Sequence, residues 1–106
     1  MKYQVVLVEE DAFGKVYRET KPILVDVDDV DELLIKIRNI LYKVANTARG
    51  WLCRFGRRPV VIEGLNEEVE AYMLRCERLS LDVLDDRVEA IEYRYVIPRI
   101  VVGGEM

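Results

Sequence analysis

Tyr3 to Val8 is an unbroken apolar, β-branched run closed by Glu9-Glu10-Asp11, the pattern of a strand covered on both faces and therefore central in a sheet. After Gly14, Lys15 to Thr20 alternates polar and apolar and is expected to pair with the first run as a hairpin. Pro22 interrupts the alternation and Ile23 to Val27 resumes it, which predicts a bend, a bulge or an edge position. The period then changes. Val30, Leu33, Leu34, Ile37, Leu41, Val44, Ala45 and Ala48 fall on one helical stripe, with Lys36, Arg38, Asn39, Lys43 and Asn46 off it. Asp29 followed by Glu32 forms a capping box, Asp31 adds negative charge to the first turn, and Gly50 supplies the stop. A helix from Val30 to about Arg49 follows.

Beyond it, Trp51 to Phe55 reads as a short extended segment, Gly56-Arg57-Arg58 as a turn and Pro59 to Glu63 as a buried strand. Gly64 ends that strand. Asn66 then caps a second helix, with Glu67 and Glu68 in its first turn and a stripe of Val69, Tyr72, Met73, Cys76 and Leu79. Ser80 to Asp86 fits a strand or a helix equally, and Asp82, Asp85 and Asp86 read as turn residues. Ile91, Tyr93, Tyr95 and Ile97 line one face of a half-exposed final strand that stops at Pro98, and Ile100 to Val102 add an extended piece. The expected fold is α+β, a two-layer sandwich of order β-β-α-β-α-β. Its sheet is mixed and four- or five-stranded, with two helices on one face and right-handed crossovers between parallel strands. Residues 1–102 make one domain and 103–106 a flexible tail.

Composition narrows the function classes. With 106 residues, 51% hydrophobic and 34% charged, the chain is one domain with a real core. The early Glu9-Glu10-Asp11 argues against a signal peptide, and no apolar run approaches the ~20 residues of a membrane helix, so a cytoplasmic location is expected. Cys53 and Cys76 are too few for a disulfide framework and are expected to be buried free thiols. Arg over Lys, with abundant Glu, Val and Ile, is compatible with a thermophilic source, a setting in which an intracellular disulfide does occur.

There is no histidine, which removes the commonest general base and metal ligand and the partner that would activate Ser80, Cys53 or Cys76. No GxSxG surrounds Ser80 and no phosphate loop is present. An enzyme is not expected. One without histidine would need a cleft perturbing Glu63, Asp85, Asp86 or Lys36. Asp26, Asp28, Asp29, Asp31 and Glu32 invite a calcium reading, but the spacing fails the loop pattern and capping explains them. Neither a metal nor a cofactor is expected.

The distribution of charge is more informative. Lys36 through Ile62 contains no acidic residue and seven basic ones, within a chain of net charge −4. Inside it, Arg49, Trp51, Arg54, Arg57 and Arg58 mix guanidinium groups with aromatics and glycine, as single-strand nucleic-acid readers do. Against this, Trp51 and Phe55 suit a core and the arginines suit salt bridges. Two functions stand. The first is a self-associating interaction or regulatory module, a two-fold dimer formed through the final strand at Tyr93, Tyr95 and Ile97. The second is binding of single-stranded RNA, DNA or another anion by the arginine-aromatic segment, without a membrane partner.

Overall fold

The computed structural model describes residues 1–79 and 91–103. Its elements are β1 (Lys2–Glu10), β2 (Val16–Glu19), β3 (Ile23–Asp26), α1 (Val30–Thr47), β4 (Leu52–Ile62), β5 (Glu67–Leu79) and β6 (Ile91–Val102). The strands form one six-stranded sheet of order β2-β1-β6-β5-β4, with β3 also on β1. Every ladder between named strands is antiparallel. The expected fold is therefore corrected. The described residues carry one helix, the order is not β-β-α-β-α-β, and no crossover joins parallel strands. Ser80 to Asp86 lies outside the described residues.

The correction turns on β5. Glu67 to Leu79 is rich in good helix formers, and its apolar residues match a helical stripe. In the structure they are divided between two faces of a strand, with Ala71 and Met73 buried on one and Leu74 and Cys76 on the other. Burial on both faces erases the alternation that identifies a strand. Two neighbours then override local propensity, since β5 pairs with β4 from Glu67 to Glu77 and with β6 from Leu74 to Leu79. Asn66 is not a helix cap. It adopts φ 54° in the β4–β5 turn and donates its N–H to Ile62 O at 3.0 Å; asparagine tolerates the left-handed region as readily as a cap position.

Gly56-Arg57-Arg58 is likewise strand rather than turn. Gly56 stands opposite Met73, whose Sδ would lie 2.9 Å from a Cβ at that position. The glycine makes room for the cross-strand side chain instead of bending the chain. Gly64 does bend it, with φ +98° in the β4–β5 turn.

Each proline sits where the sheet needs no donor. Pro22 divides one edge into β2 and β3, both paired to β1, as the interrupted alternation predicts. Across the gap, Thr20 satisfies both main-chain groups of Leu7, accepting its N–H through Oγ1 and donating its own N–H to Leu7 O, each at 3.0 Å. Pro98 does not end β6. Glu63 donates to Ile100 O and accepts from Val102 N–H, so by strand alternation Pro98 points its missing donor to the same side. That is the side on which β5 departs after Leu74↔Val96. The same Glu63 bonds put the outward main-chain positions of β4 at odd numbers, so Pro59 faces the free edge and costs no ladder bond.

α1 covers one face of the sheet with Leu33, Ile37 and Leu41 fully buried against Tyr3, Val5, Leu7, Ile62, Leu74 and Ile100. Its cap matches the expectation. Asp29 accepts from Glu32 N–H at 2.8 Å, and Glu32 Oε2 accepts from Asp28 N–H at 3.0 Å. Of the other acids of that cluster, Asp26 faces the terminal ammonium at 3.5 Å and Asp31 lies in the first turn of α1. Cys53 and Cys76, expected to be free, are directly opposite in the β4–β5 ladder and are joined by a disulfide. No helix among the described residues is long and apolar enough to cross a membrane.

Candidate nucleic-acid interface

The arginine-aromatic segment enters β4, and the two-residue period of a strand divides it. Cys53, Phe55 and Arg57 stand opposite Cys76, Leu74 and Tyr72 on the helix side. Leu52, Arg54, Gly56 and Arg58 stand opposite Glu77, Arg75, Met73 and Ala71 on the other face. A patch that is contiguous in sequence thus becomes two faces meeting at the free edge of β4.

Trp51 leaves the candidate site. It packs against the core, and its ring is covered by the Arg78 guanidinium at 4.3 Å, with Arg94 at 5.7 Å. Arg94 is itself held on every side. It lies 3.6 Å over Tyr17, its Nη2 is 2.6 Å from Glu92 Oε1, its Nε is 3.7 Å from Glu9 Oε1, and it donates to Tyr93 O. Arg78 meets Glu92 at 2.9 Å and Arg18 donates to Glu9; that bond holds the Arg18 guanidinium above its ordinary pKa. This network uses two carboxylates for three arginines and pins β1, β2, β5 and β6 together with the residue before β4.

The residues left exposed are different. Arg57 donates to Tyr72 Oη at 2.7 Å and lies 4.7 Å over that ring, while Arg38 reaches it from α1 at 5.8 Å. Phe55 packs edge-on to Tyr72 at 6.2 Å and remains 43% exposed. On the opposite face, Glu10, Tyr95, Arg75 and Arg54 form one row across β1, β6, β5 and β4. Arg75 lies 5.2 Å from the Tyr93 ring, and Arg58 meets Glu10 at 3.4 Å. Among the described residues, Arg38, Arg54, Arg57 and Arg75 have no carboxylate within ion-pair distance. Arg49 is exposed in the turn between α1 and β4.

Three participants are not among the residues that the sequence pattern singles out. Arg38 lies in the acid-free stretch but reads as part of a solvated helix face, and Arg75 and Tyr72 read as part of a helix that does not form. The acid-free run itself is the usable signal for Arg38. For Arg75 the signal is a register, visible only once β4 and β5 are paired.

The final strand is also re-placed. β6 has β1 on one side and β5 on the other, so Tyr93, Tyr95 and Ile97 do not lie on a sheet edge. They belong to the helix-free face, in the ladder beside Glu77 and Arg75. Of the residues considered for histidine-free catalysis, Lys36 donates to Asp26 O at 3.4 Å and Glu63 takes part in β6 pairing through its main chain. They lie on separate elements, and Asp85 and Asp86 fall outside the described residues. No family model, curated protein or solved structure matches this chain.

Proposed function

We propose that the protein binds single-stranded nucleic acid along the free edge of β4. Arg54, Arg57 and Arg75 meet phosphates, Arg58 joins them by exchanging its Glu10 partner for a phosphate, and Phe55 offers a ring for base stacking with Tyr72 and Arg38 behind it. The observation that carries this reading is the register Arg54↔Arg75. Like charges placed directly opposite destabilise a sheet, and no described carboxylate relieves this pair. An anion bound between them does. Guanidinium groups suit phosphate oxygens because their planar fork donates two parallel hydrogen bonds, and base stacking on exposed aromatics is tolerant of sequence.

The reading places the protein in the cytoplasm, where single strands are met. A disulfide in that compartment fits a thermophilic host, with which the composition is compatible.

The test is fluorescence anisotropy of a labelled ~15-nucleotide single strand at low and near-physiological salt. Affinity should fall with salt at a slope of ~0.7 per neutralised phosphate. Arg54→Gln with Arg75→Gln should flatten that slope by about 0.7 for each phosphate no longer neutralised. Absence of binding at low salt rejects the proposal.

A further inference from the structure

β3 lies at the side of the sheet away from β4 and pairs with β1 alone among the described strands. Its register shows which main-chain groups are spent. The Met1 ammonium donates to Val27 O at 2.7 Å, and Val27 N–H donates to Met1 O at 3.0 Å. Antiparallel pairing alternates, so Tyr3↔Val25 and Val5↔Ile23 exchange bonds in the same way. Leu24 and Asp26 therefore point their N–H and C=O groups away from β1. Asp26 O agrees, since it accepts from Lys36 Nζ at 3.4 Å on that outer side. The main chain of Leu24 is left as an open donor and acceptor, with no described strand beyond it.

A groove of about 280 Å³ runs beside this edge, between β3 and α1. Ile23, Val25 and Ile40 give it an apolar lining, and Lys36, Asn39 and Lys43 of α1 form its rim. Both lysines are exposed, and neither has a carboxylate within ion-pair distance among the described residues. Asp26, at the end of the groove, is turned to the terminal ammonium at 3.5 Å. The edge thus offers bonds to another main chain, and the rim offers charge to carboxylates.

We infer that an acidic, extended segment of a partner protein adds a strand to β3. Its main chain bonds to Leu24, and its alternate side chains enter the groove. Lys36 and Lys43 are about 10.5 Å apart along α1. Carboxylates four residues apart on a strand are about 13 Å apart, a difference that flexible lysine stems absorb. The residue midway between them meets Ile40, so the segment alternates as acidic, any, apolar, any, acidic. A second copy suits the edge poorly. Pairing β3 with β3 brings the lysine rims of both helices to one seam, where like charges repel. A nucleic acid offers the lysines phosphates but no strand main chain for Leu24. The contact lies on the side of the sheet opposite the β4 arginines, so it stands or falls independently of nucleic-acid binding.

The test is fluorescence anisotropy of a labelled peptide centred on Glu-Thr-Val-Thr-Glu, beside the same peptide with lysine for each glutamate. The acidic peptide should bind with a Kd below ~1 mM, and the basic one at least ~10-fold more weakly. Lys36→Glu with Lys43→Glu should invert that preference. Leu24→Pro removes the outward N–H without costing a bond to β1, so it should lose the peptide while keeping its melting temperature. Absence of binding at ~1 mM overturns the inference, as do equal binding of the two peptides and binding that survives in folded Leu24→Pro. Displacement of the peptide by a ~15-nucleotide single strand assigns the lysine rim to phosphate. A two-chain mass in light scattering that Leu24→Pro abolishes assigns the edge to a second copy. Either of these results also overturns it.

Discussion

The centre of the sheet and the β4–β5 hairpin obey the same two-residue period and put it to opposite uses. In β1 and β6, Tyr3, Val5, Leu7, Val96 and Ile100 are buried, both strands are hydrogen-bonded along two sides, and one proline is placed where a partner departs. In the β4–β5 hairpin the outward positions carry Arg54, Arg57, Arg58 and Arg75, one edge is open, and a disulfide and a helix stand in for a second sheet neighbour. The difference teaches where a function can be carried. Side chains at the centre are consumed by the fold, whereas Arg54, Arg57 and Arg75 of the hairpin meet no described carboxylate and are free to meet an anion; Arg58 alone among the four pairs with a carboxylate, that of Glu10.

The comparison breaks most sharply at the centre. Ile100→Ala removes a fully buried side chain and should cost about 2–5 kcal/mol, read as a lower midpoint in urea. The salt slope of strand binding should stay unchanged in the fraction that remains folded. Reduction of Cys53–Cys76 comes next. The bond closes a loop of sequence separation 23, and losing it should cost about 3 kcal/mol by the chain-entropy account, visible as a lower melting temperature in the presence of a thiol reductant. If reduction leaves the melt unaltered, the hairpin is held by its ladder alone. The smallest effect has the opposite sign. Arg54→Thr removes one of two facing guanidinium groups and adds a β-branched residue, so stability should rise by a few tenths of a kcal/mol while strand affinity falls. A loss of stability here would show that Arg54 serves the fold, and the contrast between the two regions would fail.

Much of this was legible in the chain. The helix and its Asp29 cap follow from local chemistry, because cap, dipole and stripe are set within a few residues of one another; it ends at Thr47, short of the expected Arg49, with Ala48 as its C-cap and Gly50 in the turn beyond. The broken edge at Pro22 follows for the same reason. The second helix did not survive because Glu67 to Leu79 satisfies helical propensity and strand burial at once, and the choice is made by β4 and β6, which lie on either side of it in space. The candidate interface was half legible. The absence of acids from Lys36 to Ile62 marked Arg38, Arg54, Arg57 and Arg58, but the local pattern had no means of showing that Trp51 is spent on Arg78 or that Arg75 stands opposite Arg54.

By itself, then, the sequence determined the helix, the apolar centre, the interrupted edge and the concentration of positive charge, since each depends on near neighbours or on composition. Tertiary structure alone decided that β5 is a strand, that Cys53 meets Cys76, that β6 is interior rather than an edge, and that one run of arginines is shared between two faces. Those facts rest on register between distant segments, and a register is chosen by all the strands together, through the ladder bonds and side-chain burial that only the assembled sheet supplies.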